Sequence, residues 1–374
     1  MKEIRLSSWF AGIGAFEKAL NNLKIPNKVV MYSDVADFKS KAYSLIHDIP
    51  ESLNLGDITK VNPHELEDFD LMTWGFPCTD ISIAKEDRQG LAGEKSGLYY
   101  NGIEILRVKR PKYSIIENVA DLVNNGLDIV LADLEAEGYN NYWRVLNCAD
   151  YGIPQDRKRV FVVSIRKDID NKTFTFPEPK PLTTTWHEFI DPTDTRSLTP
   201  RQTRVIDECK RGVLQRKIEG EINFDCAVVW DRTSGLRFRS KPTFPTITAR
   251  FGTGGGNFPM LAYKGHLGGI SPRSCFKLMG FTDEDFDKVD GKFAQGKLYI
   301  MAGDSIPVNV LEGIFEGLRE QFESESEQLN ETGYCDDCVD GINILSWRKE
   351  NGELVADIEE CKTCDGTGEY KEAN

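Results

Sequence analysis

Short runs of β-branched and aromatic residues alternate with stretches of helical period through the first 165 residues. That alternation limits the chain to a sheet of mostly parallel strands covered by helices, because a parallel neighbour can be reached only through a crossover. Strand-like runs fall at residues 4–9, 28–33, 69–74, 113–116, 142–147 and 159–165, and helical composition fills 15–23, 36–45, 101–108 and 127–137. The expectation is an α/β fold with a doubly wound, mostly parallel sheet. Such sheets bind ligands beyond the carboxyl ends of their strands, so the residues just after each strand are where chemistry is to be sought.

Past residue 166 the rhythm stops. Residues 168–200 are rich in Pro and Thr, and 241–269 in Gly, Pro and aromatics, which predicts a smaller, irregular, β-containing domain over 167–270. Helical patterns return at 272–279 and 307–322, so 271–322 is expected to complete the first domain, 1–166. Residues 323–374 read as an acidic linker followed by a tail carrying four cysteines.

With 40% hydrophobic and 28% charged residues the chain has material for a core and is not a disordered one. No apolar run approaches the roughly 18 residues a membrane span needs, and the N-terminus has no secretory pattern. A cytoplasmic protein without a membrane partner is therefore expected. The net charge of −14 would argue against a polyanionic partner, but it is unevenly spread. Residues 311–374 carry 18 acids and 5 bases, leaving 42 acids and 41 bases before them, while 196–250 carry 12 bases and 6 acids. The middle of the chain can therefore hold nucleic acid.

Four strand ends carry candidate chemistry. The first is followed by Phe10-Ala11-Gly12-Ile13-Gly14, whose glycines let backbone approach a ligand, and the second by Asp34, placed to accept ribose hydroxyls; Asp57 is a third contact. The third is followed by Gly75-Phe76-Pro77-Cys78, a cysteine behind a rigid proline, and the fourth by Glu117-Asn118-Val119. A thiolate nucleophile and a carboxyl acid on adjacent strand ends, beside a nucleoside site, form a working constellation.

These blocks, with Gln155-Asp156-Arg157-Lys158-Arg159, Pro245-Thr246-Ile247-Thr248-Ala249-Arg250 and Gly303-Asp304-Ser305-Ile306-Pro307-Val308-Asn309-Val310, resemble in order and approximate spacing the DNA cytosine-5 methyltransferases of bacteria and phages. The resemblance covers about residues 3–322. It implies the S-adenosylmethionine-dependent methyltransferase fold with a target recognition domain, Cys78 as nucleophile, Glu117 as the acid, and Arg157 and Arg159 holding a flipped-out nucleotide. It further implies S-adenosylmethionine as cofactor, held by Phe10, Gly12, Gly14, Asp34, Asp57, Ile58, Pro77, Leu98 and Asp304, with the loop before Leu98 as a lid. Double-stranded DNA is the implied partner, a monomer the implied acting form, and protection of a genome from restriction the implied role. The chain departs from the common pattern at Trp74 and Thr79, where the family writes Gly and Gln, at Asp304, where it writes Asn, and at Asp34, where it usually writes Glu.

The tail lies outside that resemblance. Cys335-x-x-Cys338 and Cys361-x-x-Cys364 have the spacing of a zinc ribbon, and the second pair resembles the zinc repeats of DnaJ-type chaperones. A structural zinc is expected, and because the surrounding acidity opposes phosphate contact, either stability or a protein partner is the expected role of this tail. Three rivals stand beside the main reading. An RNA methyltransferase would keep the same catalytic groups, and a non-catalytic cytosine-binding module would not need Cys78. A cysteine hydrolase would need a base, yet none of His47, His64, His187 or His266 falls in a catalytic-looking block.

Overall fold

The computed structural model describes residues 1–77, 97–190, 197–200, 202–204, 207, 226–232, 235–239, 241–253, 258–263, 266–332, 342–350 and 353–360. Two compact units divide the chain. The larger takes Glu3–Asp170 and Thr175–Gly317, the smaller Met1–Lys2, Asn171–Phe174 and Leu318–Asn374.

In the larger unit the alternation becomes strands β1 (Ile4–Trp9), β2 (Asn27–Ser33), β3 (Leu71–Trp74), β4 (Tyr113–Val119), β5 (Tyr139–Asn147), the two-residue β6 (Gln155–Asp156) and β7 (Lys158–Arg166). Helices α1 (Ala15–Asn22), α2 (Asp37–His47), α3 (Gly97–Lys109) and α4 (Leu127–Ala136) supply the crossovers. The central sheet has the order β2-β1-β3-β4-β7-β5. Neighbours from β2 to β4 run parallel, and β7 alone is reversed, antiparallel to both β4 and β5. A connection without a helix crossover joins β5 to β7, so β7 must return in the opposite direction. All four residues of β3 are buried, as expected of a strand covered on both faces. Trp9, Met72, Trp74, Ile116 and Val162 from the sheet pack with Ile103 and Leu106 of α3 and Val130 and Leu134 of α4. Each such side chain contributes about 1.5–3 kcal/mol by leaving water. From β1 the chain goes first to one side, into β2, and later to the other, into β3; the crevice above that switch point is the place for a ligand.

The middle of the chain forms β8 (Cys226–Arg232), β9 (Gly235–Arg239), β10 (Phe244–Pro245), β11 (Met260–Tyr263) and β12 (His266–Gly269). Four of these make an antiparallel sheet in the order β12-β11-β8-β9, whereas β10 pairs with β6. Then follow α5 (Pro272–Lys277), α6 (Asp283–Asp287), α7 (Gln295–Asp304) and α8 (Val308–Thr332). Neither α6 nor α7 was expected from the sequence. The acidic α6 is closed by a capping box between Thr282 and Asp285. The stretch 323–331, expected to be a linker, instead continues α8 as far as Thr332. The smaller unit also holds the antiparallel hairpin β13 (Ile342–Glu350) and β14 (Glu353–Glu360), in which Ile342 pairs with Glu360. Among the described residues no helix is long and apolar enough to cross a membrane.

Candidate active site

A cavity of about 360 Å³ opens at the carboxyl ends of β1, β2 and β3, lined among others by Phe10, Gly12, Asp34, Asp57, Ile58, Pro77, Leu98 and Asp304. Of the nine residues expected to hold a cofactor only Gly14 is not among its lining residues. Gly12 has φ +60°, and a Cβ there would meet no atom within 4 Å, so the backbone faces open space a ligand can approach. Gly14, at the start of α1 with φ +76°, is required by packing: a side chain would collide with His47 and Tyr43. His47 is itself tied to the Ile13 carbonyl at 2.9 Å, and burial pushes its pKa down, so it stays neutral.

Three loops are locked together around Asp34. Its carboxylate accepts from the backbone N–H of Gly12 at 3.0 Å and of Ala36 at 2.8 Å. Asn54, which the sequence did not single out, accepts from the Asp34 and Gly56 N–H groups and donates to the Asp34 carbonyl. The Ser33 hydroxyl donates to the Gly56 carbonyl at 2.7 Å. Asp34 is therefore fixed before any ligand arrives, and each of its oxygens keeps lone-pair capacity for a hydroxyl donor. Burial pushes its pKa up, against the pull of the Lys39 ammonium and the two N–H groups.

Glu117 stands one residue beyond Ile116, which pairs with Trp74 at the end of β3. Its side chain is 13% exposed, and Arg159 Nε approaches Glu117 Oε1 at 3.0 Å. Burial raises the Glu117 pKa; Arg159 and then Arg157 pull it back. Gly75 leaves the carboxylate uncovered, since a Cβ there would stand 3.4 Å from Oε2. Buried Asn118 donates to the Phe76 carbonyl at 2.9 Å, which fixes the backbone leading to Pro77. Trp74, at a position where Gly is common in the family resembled, roots the same loop: its indole N–H donates to Ser114 Oγ at 3.0 Å and its ring stacks on Tyr99 of α3.

The two arginines expected to share one role occupy different environments. Arg159 lines a second cavity, of about 390 Å³, with Ile247, Thr248, Ala249, Arg250, Gly303 and Asp304. Arg157 is 3% exposed, and its guanidinium donates to the carbonyls of Ile247 at 2.6 Å, Gly303 at 3.1 Å and Ser305 at 2.7 Å. Its partners make it a brace that joins the start of β7 to the end of α7. Gln155 acts similarly, donating to the Leu278 carbonyl and accepting from the Ile247 N–H. Arg157→Met is expected to destabilise the protein by about 3–5 kcal/mol by orphaning three buried carbonyls, which denaturant unfolding measures. Arg157→Lys recovers little of that loss, because an ammonium cannot reproduce the planar fork.

Cys78, the loop 79–96 and the cysteines Cys335, Cys338, Cys361 and Cys364 lie outside the described residues. Among the described residues no cluster of three or more metal-ligating side chains occurs.

A family model described as C-5 cytosine-specific DNA methylase matches residues 4–320. The type II methyltransferase M.Bsp6I of Bacillus sp. (strain RFL6) is 31% identical over 331 residues, covering 84% of this chain and 98% of that protein. The orphan methyltransferase M.SPRI of Bacillus phage SPR is 27% identical over 440 aligned residues, covering 85% and 98%. The crystal structure of the S. pombe Dnmt2 methyltransferase superposes with a TM-score of 0.61 at 16% identity, covering 86% of this chain and 99% of that one, a likeness of fold.

Proposed function

Because this chain belongs to the C-5 cytosine-specific DNA methylase family, we propose that Cys78 and Glu117 together activate a cytosine of double-stranded DNA for methylation at C5. The observation that carries this assignment is the Glu117–Arg159 pair, at the carboxyl edge of the sheet beside a cavity of about 360 Å³ that Asp34 lines. S-adenosylmethionine supplies, when bound, a methyl group made electrophilic by its sulfonium centre. The cavity suits it: Asp34 offers fixed acceptors for ribose hydroxyls, and Phe10, Ile58, Pro77 and Leu98 offer apolar surface for a ring.

C5 of cytosine is a poor nucleophile, so the ring must first gain electrons. The Cys78 thiolate bonds to C6 while the acid form of Glu117 donates its proton toward N3, and the displaced electron pair makes C5 nucleophilic. Once C5 carries the methyl group, loss of its proton to water restores the C5=C6 bond and expels the thiolate, and the N3 proton returns to Glu117. Asn118 and Trp74 fix the backbone through Phe76, two residues before Cys78 in sequence. A base inside a duplex cannot be reached this way, so the target is extruded, at a few kcal/mol of unstacking. Arg159 serves the extruded nucleotide from the second cavity, and Arg157 holds that cavity's wall.

The segment 167–270, with its antiparallel sheet and basic composition, is read as the target recognition domain. Protection of a genome from restriction, action as a monomer in the cytoplasm, and a protein partner for the acidic tail are parts of the same proposal. A tail zinc is supported by the hairpin: Ile342 pairs with Glu360, so the chain enters and leaves β13–β14 at one end, next in sequence to both C-x-x-C pairs. Metal analysis of the purified protein is expected to give about one zinc per chain, lost on replacing Cys335 and Cys338 by Ser.

A duplex carrying 5-fluorocytosine at the methylated position tests the central claim. Fluorine cannot leave as a proton does, so the adduct through Cys78 should persist in denaturing electrophoresis. Trapping by an RNA and never by DNA would reassign the substrate, and trapping by neither would remove the mechanism.

A further inference from the structure

Lys39 and Asp304 are 265 residues apart in sequence, yet Lys39 Nζ approaches Asp304 Oδ2 at 2.8 Å. Lys39 lies in the first turn of α2 and Asp304 ends α7, and both line the cavity that holds Asp34. Their side chains are 17% and 40% exposed, so the cation is the more sheltered partner. Asp304 lines the second cavity too, which makes it part of the wall common to both. A carboxylate at this position, taken alone, would repel any anionic group entering the cavity. The ammonium beside it cancels that repulsion, and one contact to Asp304 leaves two of its three N–H donors for other acceptors.

The donor assigned to this cavity has only one part with both charges, the amino-acid end with its α-ammonium and α-carboxylate. We propose that Lys39 and Asp304 form a specificity-determining pair that reads this zwitterion, Lys39 donating to the α-carboxylate and Asp304 accepting from the α-ammonium. The inference rests on the cavity being the donor site and adds which groups recognise which end. It also accounts for the Asp found where the family resembled writes Asn: the carboxylate is admissible because a lysine faces it.

Two ligands separate the amino-acid end from the nucleoside: S-adenosylhomocysteine, and 5′-deoxy-5′-methylthioadenosine, which lacks that end. Calorimetric titration of the full chain with each is expected to show Lys39→Met weakening S-adenosylhomocysteine about tenfold to thirtyfold while methylthioadenosine changes less than about twofold. Unchanged methylthioadenosine binding also shows that the variant is folded. Adding Asp304→Asn to Lys39→Met should restore at least about threefold of the lost affinity, because it removes an uncompensated carboxylate. Equal weakening of both ligands, weakening of neither, or a double variant no better than Lys39→Met overturns the pair's role. Failure of the unaltered protein to bind either ligand overturns the donor site itself.

Discussion

Cys78→Ser is expected to lower the rate of methyl transfer to duplex DNA by more than about 10³-fold while S-adenosylhomocysteine binds as before. A serine hydroxyl is essentially un-ionised near neutral pH, whereas a thiol of ordinary pKa, about 8.5, is a few per cent thiolate and far more nucleophilic. The thiolate is also the better leaving group, so serine fails at adduct formation and at release. Single-turnover transfer from labelled S-adenosylmethionine, beside a binding titration, separates chemistry from affinity. A variant within tenfold of the unaltered rate would remove the covalent step.

Glu117→Gln should cost about 10²–10⁴-fold in the same assay, the range for losing a positioned acid. The amide keeps the shape and a hydrogen-bond donor but has no proton to give up. The pH dependence gives a second test. Burial raises the Glu117 pKa, so its acid form survives to higher pH than an ordinary glutamate, and the chemical step slows as pH climbs through that raised value. Arg159 is the largest opposing influence. In Arg159→Met the limb due to Glu117 should therefore move to higher pH, on top of a lower overall rate. A limb that stays in place would mean that another group titrates there.

Much of the sheet was legible because strand periodicity is a local property. The runs at 4–9 and 28–33 coincide with β1 and β2 to within a residue, and 127–137 with α4 likewise. The edge strand β5 begins three residues earlier than its apolar run, since Tyr139, Asn140 and Asn141 gain their place from pairing with β7 and not from hydrophobicity. The strand-end rule pointed to Gly12 and Asp34, which follow β1 and β2, whereas Glu117, expected just past its strand, lies inside β4, because pairing with β7 carries that strand on to Val119. What the sequence hid was every role set by a distant partner. Arg157 and Arg159 look equivalent two residues apart, but only the first meets carbonyls from residues 247, 303 and 305. Asn118 reads as part of a motif until its amide is seen on the Phe76 carbonyl. Asp304 stood out as a departure from a pattern, and nothing local to it could name Lys39.

That Asp304 lines the cavity beside Asp34, whereas its other lining residues fall between Phe10 and Leu98, has a bearing on synthesis. Ribosomes deliver the N-terminal portion first, at about 5–20 residues per second, and a truncated product ending before α7 lacks both Asp304 and the carbonyls that Arg157 clasps. Prematurely terminated polypeptides should therefore be unable to alkylate DNA, and a nascent chain stays inert until most of its message has been translated.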